Sequence, residues 1–169
     1  MIALARAKHK ILDILKARQE GQTALVIFAG ESFVVSPLTD DARTMKALVQ
    51  SLETNLMPVQ GSRPDLALHR GNDLLKQAGI PGGDLLLITD GDVEPATLET
   101  IKQVVSKGRR ISILGVGTED GAPIPEKGGF VKDENGVIVV SKVGSASLQS
   151  AARAGGGRFS MVTLDDSDL

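Results

Sequence analysis

Three groups of oxygen-bearing side chains have the types and spacing to hold a ligand. Asp90 and Asp92 flank Gly91 directly after the apolar run Leu85-Leu86-Leu87-Ile88-Thr89. Ser62 stands just ahead of Arg63-Pro64-Asp65, and Thr39, Asp40 and Asp41 form a third polar cluster. A hard dication such as magnesium takes oxygen ligands in near-octahedral geometry and usually keeps several waters. One carboxylate and one hydroxyl are a thin set for that purpose. Each group also has a plainer reading. Asp-Gly after a strand is a common turn. Ser62 with Asp65 fits a Ser-x-x-acid capping box. Thr39-Asp40-Asp41 reads as a helix start. His9 and His69 are isolated among charged neighbours, which suits solvated surface positions. No Gly-x-Ser-x-Gly elbow marks a nucleophile. Gly155-Gly156-Gly157 follows a helical pattern and precedes a strand, the reverse of a phosphate-cradling loop, and reads as a helix stop.

The elements that position these residues alternate between helical and strand periods. That order predicts an α/β fold, a three-layer sandwich around a mostly parallel, doubly wound sheet. Residues 4–18 repeat apolar side chains at helical spacing, and Gly21 follows as a stop. Residues 23–29 are short and continuously apolar, as a strand covered on both faces is. Residues 32–36 return as an antiparallel edge, with Pro37 expected to end the pairing because it cannot donate to a ladder. Asp40 and Asp41 precede a helix with Met45, Leu48, Val49 and Leu52 on one face, where acidic residues favour the positive end of the dipole. A third helix is expected from Ser62 to about residue 78, then a strand over 84–89 and a helix from Pro95. Another buried strand is expected over 110–116. Glu134-Asn135-Gly136 predicts a hairpin over 130–141. Ser145 is expected to cap a helix to about residue 154, followed by a strand over 158–162. Ligands of open α/β sheets bind beyond the carboxyl ends of the strands, and all three polar groups are assigned to that edge.

Composition narrows the function. The chain has 169 residues, enough for one domain: 1–164 with a disordered acidic tail at 165–169. Its aromatic residues are four phenylalanines, so the core must be aliphatic and no base-stacking platform is apparent. A net charge of -2 lacks the basic excess of a nucleic-acid binder. The absence of cysteine excludes disulfides, thiolate metal sites and cysteine nucleophiles. No apolar run approaches the roughly 20 residues of a membrane span, and the first ten residues lack a secretory signal core.

The ordered set of segments resembles a von Willebrand factor A domain. It is most similar to the bacterial membrane-anchored subfamily of aerotolerance operons, the Bat-type proteins. The resemblance runs through Arg6-Ala7-Lys8, Ala24 to Gly30-Glu31, and Pro37-Leu38-Thr39-Asp40-Asp41. It continues through Leu56-Met57-Pro58-Val59-Gln60-Gly61-Ser62 and Leu87-Ile88-Thr89-Asp90-Gly91, then Leu114-Gly115-Val116-Gly117-Thr118 and Gly121-Ala122-Pro123-Ile124-Pro125. It implies a protein-protein interaction module, not an enzyme, with a metal-ion-dependent adhesion site for Mg2+ or Mn2+. Asp90 would take the third-loop aspartate position and Ser62 the second-loop threonine position. Asp92 would join them on the partner surface. The family's first strand and its Asp-x-Ser-x-Ser loop have no counterpart, so the site is incomplete and metal binding is expected to be weak or absent. The family further implies a partner protein offering a carboxylate, a MoxR-type ATPase system, and a parent anchored in the bacterial inner membrane.

Two other readings stand beside that one: a small doubly wound metal-dependent enzyme using Asp90 or Asp92, and a structural fragment without activity. In the family's order the absent strand lies between the segments 23–29 and 84–89. Unpaired backbone groups inside a molecule cost about 1–3 kcal/mol each. The gap is therefore expected either to close by direct pairing or to be filled by strand exchange, giving a homo-oligomer.

Overall fold

The computed structural model describes residues 2–18, 20–117, 122–123, 125–126, 129–130, 140–141 and 144–162. Helix α1 (Ile2–Ala17) leads to an antiparallel pair, β1 (Thr23–Phe28) and β2 (Ser32–Thr39). Helices α2 (Ala42–Ser51) and α3 (Pro64–Gln77) follow, separated by a single 3-10 turn at Thr54–Leu56. Then come β3 (Asp84–Thr89), α4 (Pro95–Val105) and β4 (Arg110–Gly115). Four two-residue strands, β5 (Ala122–Pro123), β6 (Pro125–Glu126), β7 (Gly129–Phe130) and β8 (Val140–Ser141), lie between β4 and α5 (Ser145–Ala154). Strand β9 (Gly156–Met161) ends the described fold.

The expected layered α/β architecture is the one observed. The parallel sheet has the order β3-β4-β9. On one face α3, α4 and α5 close over it through Leu68, Ile101, Val104, Leu148, Ala151 and Ala152, which pack on Leu87, Ile111 and Ile113. On the other side α1 and α2 form a second, smaller cluster of Leu15, Met45 and Val49 against Leu25 of β1. Gly71 lets α3 lie close on the sheet: a Cβ there would stand 2.8 Å from Leu85 Cδ2.

The sheet is divided. β1 pairs only with β2, and β3 pairs only with β4, so the described strands leave an open edge on each side of a gap. Direct pairing of 23–29 with 84–89, one of the two expected closures, does not occur. A consequence shows in burial: all six residues of β1 are only half-buried, although the sequence suits full coverage.

Several local expectations are corrected. Pro37 lies inside β2 rather than ending it, because the register slips between Thr23↔Thr39 and Leu25↔Ser36 and absorbs the missing donor at a bulge. The cap of α3 is Arg63, without a side-chain bond, so Ser62 and Asp65 do not form a capping box. Asp65 instead accepts two hydrogen bonds from Arg63, at 2.9 and 2.7 Å. Gly144, not Ser145, caps α5. His69 is half-buried, 3.4 Å from Thr100 Oγ1. The turn Glu134-Asn135-Gly136 and the tail 165–169 lie outside the described residues. The two ends of that expected hairpin pair elsewhere, Phe130 with Pro125 and Ser141 with Ala122.

Candidate functional site

The carboxyl ends of β1 and β3 meet the same loop. Arg63 N donates to Ala29 O at 2.8 Å and Gly30 N donates to Val59 O at 3.0 Å, which ties the end of β1 to residues 59–63. The approach is tight. A Cβ on Gly30 would stand 2.6 Å from Gln60 O, and Gly61, at φ +139°, presses against the Gly30 Cα. Only glycine accommodates that contact and that dihedral. The loop thereby carries Ser62 to the end of β3: its Oγ is 3.9 Å from the position a Cβ on Gly91 would occupy.

At the end of β3, Gly91 N donates to Thr89 Oγ1 at 3.2 Å and Val116 N donates to Thr89 O at 2.8 Å. These bonds fix the Asp90–Gly91 turn. Both Ser62 and Asp90 are exposed. Ser62 and the Asp90 loop thus share one edge, with an unengaged hydroxyl beside a solvent-facing carboxylate turn.

Asp92 has a different occupation. Its Oδ1 accepts from Ser147 Oγ at 3.0 Å, at the first turn of α5. Gly144 O, at 2.8 Å from the same Oγ, shares that one proton. An anion there complements the positive end of the helix dipole, so Asp92 ties the β3 loop to α5. Gly144 is indispensable to the tie, since a Cβ would fall 1.6 Å from Asp92 Oδ1.

Thr39, Asp40 and Asp41 do not belong to this edge, a correction to the sequence assignment. β2 runs antiparallel to β1, so Thr39 pairs with Thr23 at the amino end of β1. The cluster borders a small cavity there with Arg18, Glu20 and Gly21. Asp41 is the cap of α2, accepting from the amides of Arg43 and Thr44, both at 3.0 Å. Hydrogen bonds from the Thr44 hydroxyl and then its amide hold the Asp41 carboxyl below the usual carboxylate range.

Among the described residues no three His, Asp or Glu side chains gather around one point. No buried side-chain nitrogen or oxygen among them lacks a hydrogen-bond partner, so none waits for a ligand. What sequence reasoning missed is Arg63. Its guanidinium holds the Asp65 carboxyl below its usual range through side-chain hydrogen bonds. The signal was present as the Arg63-Pro64-Asp65 sequence, a basic residue two positions ahead of an acidic one at a helix start.

Comparison with known proteins fits these observations. Residues 3–93 match the model of the von Willebrand factor type A domain, more than half of the chain. The chain belongs to that family. An aerotolerance-related membrane protein from Bacteroides fragilis, solved with multiple mutations to serines, is 30% identical, with a TM-score of 0.83, over 98% of this chain and 82% of its own. The conserved hypothetical protein BatB from Bacteroides thetaiotaomicron is 28% identical, with a TM-score of 0.85, over 97% of this chain and 82% of its own. These two similarities make the chain a von Willebrand factor A domain of the Bat type. A von Willebrand factor type A protein from Catenulispora acidiphila, at 17% identity and a TM-score of 0.68, covers 95% of this chain and 34% of its own, and shares the fold. A comparison with curated proteins gives no match. Domains of this family generally serve protein interaction. Among the described residues no helix is long and apolar enough to cross a membrane.

Proposed function

We propose that this domain binds a protein partner through the edge where Ser62 meets the Asp90–Gly91 turn. The observation that carries the reading is the placement of that hydroxyl, 3.9 Å from the Gly91 Cβ position, at the turn that follows β3 and carries the exposed Asp90. The loop leading to Ser62 exposes Leu56 and Val59 at 51% and 43%, apolar contact area of the kind an interface core uses. Asp92 contributes by holding the β3 loop against α5. An enzyme built on Asp90 and Asp92 has less support, because the second carboxylate is engaged by Ser147.

The family resemblance supplies the finer part of the reading. The partner presents a carboxylate, a MoxR-type ATPase is the class to try first, and the parent protein sits at the bacterial inner membrane. The similarity to a Bacteroides fragilis protein described as membrane and aerotolerance-related supports that placement. Magnesium or manganese binds weakly or undetectably, because two fixed oxygens do not offset the reluctance of magnesium to shed water.

The test is binding of a MoxR-type ATPase from the same genome to the immobilised domain, with and without magnesium. Ser62→Ala with Asp90→Ala is expected to weaken binding about tenfold, the equivalent of about 1.4 kcal/mol. Equal binding by the double variant would refute the assignment of this edge. Calorimetric titration of magnesium into the isolated domain is expected to give no heat beyond dilution.

A further inference from the structure

The amino edge of the parallel sheet is basic. β3, β4 and β9 run in the same direction, so the connections that enter them from α3, α4 and α5 lie along one edge. They are close neighbours: a Cβ on Gly108 would stand 3.4 Å from Pro81 O, and Ile111 N donates to Gly155 O at 2.9 Å. Segments 74–83, 102–110 and 153–157 hold Lys76, Lys102, Lys107, Arg109, Arg110 and Arg153, six of the chain's 19 cations, and none of its 21 acids. A chain with a net charge of -2 thus gathers positive charge at one edge. On α3 and α4 the nearest acids, Asp73 and Glu99, stand about one turn back from Lys76 and Lys102.

Helix dipoles account for part of this pattern. Lys76, Lys102 and Arg153 occupy last turns, where a cation complements the negative end. Arg109 does not fit that account. It is buried, and its guanidinium donates only to neutral oxygens: Ile80 O at 2.6 Å, Asn72 Oδ1 at 3.4 Å, and Gly82 O. Buried charges are ordinarily matched by opposite ones. Among the described residues no carboxylate pairs with Arg109, nor with Lys76, Lys102, Lys107 or Arg153, and those four are exposed. Arg110 alone of the six is matched, by Asp84 at 2.8 Å. Glu20, Asp40 and Asp41 border the amino end of β1, which confines the basic strip to the β3-β4-β9 half.

The shape of the strip bears on what it meets. Packed helices lie about 8–10 Å apart, so three adjacent helix ends span about 20 Å. The residues between the cations are small and exposed, among them Ala78, Gly79, Pro81 and Gly108. The charges therefore project from low relief, as suits a plane of phosphates.

We propose that this edge rests on an anionic lipid surface. Lys76, Lys102, Lys107 and Arg153 engage headgroup phosphates, and Arg109 adds positive charge beneath them. The choice of lipid rests on the membrane placement proposed above. Basic clusters beside a membrane are attracted by anionic headgroups, and an anchored parent holds the edge near the surface, so that weak contact suffices. This orientation turns the opposite edge, with Ser62 and Asp90, toward a protein partner in the aqueous phase.

The test uses the whole 169-residue chain and sedimentation with vesicles. One set is phosphatidylcholine alone, the other phosphatidylcholine with about 30% phosphatidylglycerol. Binding is expected on the anionic set only, and is lost in about 1 M salt, where charges are screened beyond about 3 Å. Lys76→Gln, Lys102→Gln and Lys107→Gln together are expected to weaken it at least about tenfold. Arg6→Gln, Lys46→Gln and Arg70→Gln, the same change in charge inside α1, α2 and α3, are expected to weaken it by no more than about twofold. Urea midpoints establish that both triple variants are folded. Absence of binding to anionic vesicles, equal binding to neutral ones, or equal loss in the two triple variants would overturn the proposal. Tighter binding to polyglutamate or duplex DNA at equal charge, lost with the same three lysines, would overturn it too and give the edge to an acidic protein or a nucleic acid. The vesicles carry no protein, so failure here with the ATPase still bound removes the lipid-facing edge and leaves the Ser62 and Asp90 surface in place.

Discussion

At the scale of the residue, Gly157 is placed by contact. A Cβ on Gly157 would stand 2.2 Å from Ile111 O and 2.6 Å from its carbonyl carbon, backbone atoms that cannot swing away as the Ser112 hydroxyl, also at 2.6 Å, can. Gly157→Ala is therefore expected to cost about 1–3 kcal/mol by overpacking, read as a lowered urea midpoint with unchanged slope. Asp65 carries a pH signature. The Arg63 side-chain hydrogen bonds lower its carboxyl pKa, with desolvation opposing. A folded value below the unfolded one, about 3.9, means that the unfolded chain binds more protons in that window. The contribution is complete above the unfolded value and is lost as pH falls through the folded one. Asp65→Asn is thus expected to lower the urea midpoint at neutral pH and to converge with the wild type at the acid end. A constant difference across the whole range would contradict that cause. Asp84, lowered by Arg110, is the contrast: its side chain is 65% exposed and Arg110's 61%, so Asp84→Asn is expected to change stability little.

At the scale of the element, much of the fold was legible because its signals are local. The apolar runs at 84–89 and 110–115 became strands, and Met45 and Val49 of α2 are buried as their spacing requires. Asp41, read as a helix-start residue, caps α2, and Asp41→Ala is expected to lower its stability, seen as faster amide exchange over 42–51. What was not legible depends on tertiary context. Pro37 stays in its strand because a bulge absorbs it, and no feature of residues 32–39 announces that bulge. The pairing of Ser62 with Asp65 failed because Arg63, in between, reaches the carboxylate first. The two ends of an antiparallel pair lie on opposite edges, and that alone removes Thr39–Asp41 from the site. Ser62 and Asp90 were recognised through family resemblance; their shared edge depends on the Gly30–Gly61 approach, for which spacing gives no sign.

At the scale of the whole molecule, the gap divides the core as well as the sheet. Among the described residues, nine buried ones form one cluster around β3, β4, α3, α4 and α5, and three form the other between α1, α2 and β1. Among the described elements α3 packs on strands of both half-sheets, while Ile14 of α1 and Leu86 of β3 line a shared cavity. Local opening free energies track buried apolar contact. The smaller half, with β1 half-buried along its length, is therefore expected to open below the global unfolding energy, and the larger half only with it. Ile101 and Val49 are both fully buried, one in each cluster, and they separate the two processes. Ile101→Ala, a cavity substitution worth about 2–5 kcal/mol, is expected to lower the barrier to exchange everywhere. Val49→Ala is expected to accelerate exchange over 23–28 and 42–51 and to leave the slowest amides of β4 unchanged. Uniform acceleration by Val49→Ala would mean that the halves unfold as one unit and that α3 couples them more strongly than their shared contacts suggest.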